Sequence, residues 1–187
     1  MRLRVGAAMP EKGGRPALVA VEVRELPERD GRAQHEFLVG HVDRVQPPGV
    51  ETARDRALAL LEAARPVAAC IMVDVGTAQG IALRKSLRDR VAEDQHRPHQ
   101  LDAQSPSRRA ELFAGFLSAY AEGRVRLADG LGANGASLER ALVHFGGTRG
   151  QKDSELSSED EALVVALCLA LQWPRHGPPA DKVESAP

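Results

Sequence analysis

Val67-Ala68-Ala69-Cys70-Ile71-Met72-Val73-Asp74-Val75 is apolar at every position but one, and Gly76-Thr77 follows it directly. A strand open to solvent on one side alternates polar and apolar residues. This run does not, so it reads as a strand covered on both faces, the hallmark of a sheet sandwiched between helices. Gly76 breaks the strand. Thr77 is placed to cap a helix whose apolar stripe is Ile81, Leu83, Leu87 and Val91. The single charge, Asp74, therefore falls at the carboxyl end of a central strand. Open α/β sheets place their ligands at that edge.

Before this run, three segments alternate in the manner of strands. They are residues 1–8, with Leu3, Val5 and Ala7 on one face, Ala17 to Val23 and His35 to Val45, separated by the loop at 9–16 and the polar turn Pro27–Arg32. Short turns make them an antiparallel meander. A helix from Thr52 to Pro66 comes next, with Ala53, Ala57, Leu60, Leu61 and Ala64 on one face.

Beyond the central run the reading gives a short strand near His99–Ala103. Ser105-Pro106 then starts a helix whose buried stripe is Leu112, Phe113, Phe116, Leu117 and Tyr120. A short strand Arg124–Leu127 follows, then a helix opened by Ser137 and a last helix opened by Ser158 and apolar almost all round from Ala162 to Trp173. The order βββ-α-β-α-β-α-β-α-α predicts an α/β fold, a mixed β-sheet of three antiparallel strands continued by parallel βα units and flanked by helices. This is the layout of RNase H-like domains. Residues 1–173 are read as one such domain. Residues 174–187, with Pro174, Pro178, Pro179 and Pro187, are read as a disordered C-terminal tail.

Composition narrows the function classes. The chain has 187 residues, 43% hydrophobic and 27% charged, a globular balance for one domain. Only 3% are aromatic, so Ala, Val and Leu must fill the core. Lys and Arg number 25 against 26 Asp and Glu, so attraction to nucleic acid can come only from local patches. No apolar run is long enough to span a membrane. The start, Met1 to Gly6, lacks the apolar core of a signal peptide, which predicts a cytoplasmic, intracellular protein. Cys70 and Cys168 sit in apolar runs and read as small buried hydrophobes.

Two carboxylate groups carry the candidate chemistry. One is Asp74. The other is Glu159-Asp160-Glu161 at the start of the last helix, although Ser158-x-x-Glu161 also satisfies a capping box and acids favour helix N-termini for that reason alone. Brought together, such carboxylates suit Mg²⁺ or Mn²⁺ and phosphodiester cleavage by two metals. Arg84, Lys85 and Arg88 on the helix after Asp74, and Arg149 and Lys152 in the last loop, are the candidate nucleic-acid contacts, set against a reading as solvated helix faces. Arg108 and Arg109 at the next helix start join them as candidates. His96-x-x-His99 is a weak metal spacing.

From about Arg4 to Trp173 the chain resembles the C-terminal nuclease domain of the tailed-phage terminase large subunit, an RNase H-like endonuclease. The resemblance is carried by Val5-Gly6-Ala7-Ala8, by Arg15-Pro16-Ala17-Leu18-Val19 and by Val73-Asp74-Val75-Gly76-Thr77-Ala78-Gln79-Gly80. It closes on Asp160-Glu161 running into Ala162-Leu163-Val164-Val165-Ala166-Leu167-Cys168-Leu169-Ala170, then Trp173. It implies Asp74, Asp160 and Glu161 as catalytic and metal-binding residues, with Mg²⁺ or Mn²⁺ as cofactor in an active enzyme. It also implies double-stranded DNA, a packaging ATPase or portal proteins as partners, and a phage or prophage origin. Two departures stand out. The first-strand Asp of that family is Ala8 here. The closing acids carry one extra residue, so Asp160 or Glu161 is the counterpart. The resemblance thus implies a divergent, stand-alone relative with cleavage weakened or lost, unless Glu11 or Glu22 substitutes. The alternatives are a non-catalytic DNA- or protein-binding module and a RuvC-type junction resolvase.

Overall fold

A computed structural model describes residues 2–10, 14–29, 32–64, 68–90, 98–147 and 157–172. The elements follow the expected order. Strands β1 (Arg2–Ala8), β2 (Ala17–Arg29) and β3 (Arg32–Arg44) precede helix α1 (Val50–Ala63). Strand β4 (Ala68–Asp74), α2 (Ala78–Arg88), β5 (His99–Leu101), α3 (Pro106–Ala121), β6 (Val125–Leu127), α4 (Gly132–Gly147) and α5 (Ser158–Leu171) follow among the described residues.

The six strands form one sheet in the order β5-β4-β1-β2-β3-β6. β1 is antiparallel to β2 and β2 to β3, whereas β4 runs parallel to β1 and β5 parallel to β4. This is the mixed sheet, antiparallel then parallel, that the sequence pattern predicts, with β4 beside the first strand. The short β6 pairs in parallel with β3 at the opposite edge. Nothing local in its three residues anticipates that placement.

The pleat sorts β1 cleanly. Val5 and Ala7 face α1 and α2, together with Leu18, Ala20, Ile71, Val73, Leu83 and Leu87. Ala8 faces the other layer with Val19, Val21, Met72 and the whole buried run of α5. Residues 162–170 of α5 are all buried, because the helix lies on β1, β2 and β4 and is roofed by α3 and α4. A helix apolar all round is stable only when covered all round. Gly6 sets the approach: a Cβ there would fall on the Ala166 carbonyl, so only glycine admits α5 this close to β1. At the far end of α5 the guanidinium of Arg4, on the same face of β1, donates to the Leu171 and Gln172 carbonyls at 3.4 Å. These carbonyls lack intrahelical partners. Burial lowers the Arg4 pKa to about 10.

Several local expectations shift. α1 begins at Val50 after Gly49, so Thr52 lies inside the first turn and caps nothing. α4 begins at Gly132, five residues before Ser137. Buried Gly135 leaves room for Leu131, which packs on the core, and that tertiary contact outweighs the poor helix propensity of 132–136. Tyr120 is exposed, and Ala119 takes its place in the buried stripe of α3. Cys168 is buried, Cys70 is half-buried, and both are free thiols. The 174–187 tail and Trp173 lie outside the described residues, as do Glu11, His96, Arg149 and Lys152.

Candidate functional site

Ala7 pairs with Val73 in the β1–β4 register, so Asp74 follows at the level of Ala8. Ala8 pairs with Ala17, and Ala17 with Arg44. Asp74 shares the pleat of Met72, and Arg44 that of Val42. Residues two apart on a strand point the same way, so Asp74, Ala8, Ala17 and Arg44 form a row at one edge of the sheet, all turned toward α5. The first turn of α5, with its three acids, comes down on the same edge.

Asp74 is almost fully buried, at 3% exposure. Its Oδ1 accepts from the backbone N–H of Gly76 and of Ala103, both at 2.9 Å. The carboxylate thus closes the turn after β4 and ties it to the turn after β5, where Asp102 accepts from the Gln104 and Ser105 amides. Thr77 caps α2 as expected, its hydroxyl accepting from Gly80 N–H at 3.0 Å. A Cβ on Gly80 would strike the Asp74 carbonyl, so the glycine lets α2 start tight against the strand end. Burial pushes the Asp74 carboxyl above the ordinary aspartate range. The two amide donors pull against that, as does the charge of Arg109, while Asp102 adds to it.

The acids of α5 have partners of another kind. Glu159 takes Arg15 Nη2 at 2.6 Å, Arg15 Nε at 3.0 Å, the Arg15 backbone amide at 3.2 Å and Arg44 Nη1 at 3.1 Å. The hydrogen bond from the Arg15 side chain leads in lowering the Glu159 pKa to about 2. Asp160 is paired with Arg44 Nη2 and accepts from the Ser157 hydroxyl at 2.8 Å. Glu161 is paired with Arg109, whose guanidinium also stands 5.0 Å over the Phe113 ring. The helix cap is Ser157, its hydroxyl accepting from Asp160 N–H, so the N-cap lies one residue earlier than the Ser158-x-x-Glu161 spacing places it.

Sequence reasoning missed Arg15 and Arg44. Each meets its acid across more than 110 positions of chain. No local pattern marks either. Arg109, a candidate phosphate contact by sequence, has its guanidinium engaged by Glu161.

The other sequence candidates are dispersed. Glu22 pairs with Leu3, five residues from Ala8 along β1, or about 17 Å at ~3.4 Å per residue. It bonds Arg24 and is too far away to replace the missing carboxylate. Lys85 and Arg88 are exposed and Arg84 is half-buried. α2 runs away from the carboxyl edge, so Arg84 sits about 9 Å and Arg88 about 15 Å beyond its first residue at ~1.5 Å rise. His99 is half-buried on β5, and desolvation lowers its pKa.

Mg²⁺ or Mn²⁺, the cations that the RNase H-like resemblance implies, do not fit these residues. A divalent ion needs anionic oxygens with vacant lone pairs. At this edge Ala8 offers a methyl group in place of an anionic bridge, Asp74 spends one of its two oxygens on two amides, and the charge of each acid of α5 is already offset by a guanidinium. Among the described residues no group of three His, Cys, Asp or Glu side chains is arranged to hold a metal. No helix among them is long and apolar enough to cross a membrane.

No protein-family model and no curated protein matches the chain. Among solved structures, RuvC of Thermus thermophilus is similar over 90% of each chain, at 14% identity and a TM-score of 0.35.

Proposed function

We propose that this chain is a non-cleaving RNase H-like domain of the terminase-nuclease kind, which works as a binding module for duplex DNA. One observation carries the loss of cleavage: at the edge where metal-binding acids are expected, β1 ends in Ala8 and the acids of α5 are held by Arg15, Arg44 and Arg109. Two divalent ions a few ångströms apart repel strongly, and an anionic bridge between them offsets that repulsion. A methyl group cannot. The DNA reading rests on the terminase resemblance together with the exposed Lys85 and Arg88 on α2, whose positive charges suit phosphate contacts at an overall charge near neutrality.

The test has two arms. Wild type, Ala8→Asp and Asp74→Ala are incubated with supercoiled plasmid in millimolar Mn²⁺ and in chelator, and nicking is read on a gel. Wild type should not nick. Metal-dependent nicking that Asp74→Ala abolishes overturns the non-cleaving reading. In the second arm, anisotropy of a labelled duplex is followed as salt rises. Affinity should fall steeply with salt and drop further in Lys85→Ala/Arg88→Ala. An unchanged signal at low salt removes DNA. The packaging ATPase or portal protein implied by the resemblance then becomes the partner class to test.

A further inference from the structure

Successive helix residues are rotated by about 100°, so the side chains at 159, 160 and 161 fan over roughly 200° of the α5 surface. No single cation can reach all three. The chain meets them with guanidiniums from three separate elements: Arg15 from the loop before β2, Arg44 from the last residue of β3 and Arg109 from the first turns of α3. Arg44 is the innermost, its side chain 12% exposed, and it bridges Glu159 and Asp160. It stands in the same row as Ala8 and Asp74, two strands from Ala8. Arg109 closes the other side, pairing Glu161 and lending positive potential to Asp74. The acids thus meet fixed positive groups from β3 on one side and α3 on the other. A planar guanidinium that never deprotonates matches a carboxylate better than a lysine would.

We propose that Arg15, Arg44 and Arg109 act together as the cation of this edge: charge built into the chain holds the first turn of α5 on the sheet and leaves the domain independent of divalent ions. This rests on the non-cleaving reading, and the two fail separately. Nicking by wild type sinks that reading, whereas the present inference is decided by cation-dependent stability without any DNA.

The experiment is thermal unfolding of the full chain in chelator and in millimolar Mn²⁺, with Mn²⁺ binding read in parallel by electron paramagnetic resonance. Wild type should melt at the same temperature in both and bind no Mn²⁺. Arg44→Gln/Arg109→Gln uncovers Asp160 and Glu161 and leaves Glu159 to Arg15. Its Tm should fall by about 5–10 °C in chelator, and roughly half of that loss should return with Mn²⁺, together with a bound-Mn²⁺ signal. Arg44→Lys/Arg109→Lys keeps the charge and should remain indifferent to Mn²⁺. Stabilisation of wild type by Mn²⁺ overturns the inference. So does a Gln variant that melts like wild type. Destabilisation without rescue reduces the arginines to ordinary ion pairs and overturns it as well. Should the double Gln variant not fold, Arg109→Gln alone, at the more exposed of the two arginines, should lose about 1–4 °C in chelator and regain part of it with Mn²⁺.

Discussion

Asp74 and the acids of α5 meet at one edge of the sheet and are stabilised in opposite ways. Asp74 is satisfied by neutral backbone amides. They provide hydrogen bonds and no formal charge, so desolvation prevails and its pKa rises. Glu159 is satisfied by full positive charges. They offset desolvation, and its pKa drops to about 2. A buried carboxylate is therefore not by itself a sign of chemistry. The partner decides: an amide-held acid locks turns together, and a guanidinium-held acid locks a helix onto a sheet.

The largest effect should come from Asp74→Ala. It leaves the Gly76 and Ala103 amides without an acceptor in a buried turn, at ~1–3 kcal/mol each, so a loss of about 2–6 kcal/mol is expected in urea unfolding. Asp74→Asn keeps an acceptor oxygen and removes the charge, and should stay within about 1 kcal/mol of wild type. Equal damage from Ala and Asn would mean that the charge itself matters, which would break the contrast.

Arg44→Met is next. It strands Glu159 and Asp160, which are partly solvated, so the loss should be about 1–3 kcal/mol, short of that for a fully buried pair. A neutral outcome would show that Arg15 and water suffice.

The pH dependence sharpens the comparison because the two signs differ. Glu159 has a lowered folded pKa. Its contribution is complete above the ordinary value of 4.5 and is lost as pH falls through that value toward about 2. Asp74 has a raised folded pKa. Its ionisation costs stability at neutral pH, and the cost is relieved as pH falls toward the ordinary value of 3.8. In melting curves from pH 7 to 3, Glu159→Gln should therefore be most harmful at pH 7 and approach wild type in acid. Asp74→Asn should gain on wild type at pH 7 and lose that advantage in acid. Parallel curves for both variants would refute the assignment.

The smallest effect should be Arg109→Gln alone. Both partners are about one-third exposed, which places this ion pair at about 0.5–1 kcal/mol or less. A loss above ~2 kcal/mol would mean that the stacking on Phe113 contributes more than the charge.

The apolar run at 67–75, the alternation in β1 to β3 and the all-round apolar α5 predict the element order and the place of β4 inside the sheet, beside β1. Such periodicities are local consequences of which faces are covered. The sequence also marked the acids worth inspecting and the alanine at the end of β1. Their partners were out of its reach. Arg15 and Arg44 are separated from the α5 acids by most of the chain, and an arginine in a loop or at a strand end carries no mark of what it will touch. The placement of β6 beside β3, the remoteness of Glu22 and the turning of Arg84, Lys85 and Arg88 away from the carboxyl edge were equally decided by register and helix direction. Local chemistry determined which side chains needed neutralising. Only the packed sheet, by bringing β3, α3 and α5 to one edge, decided that arginines of the same chain would do it.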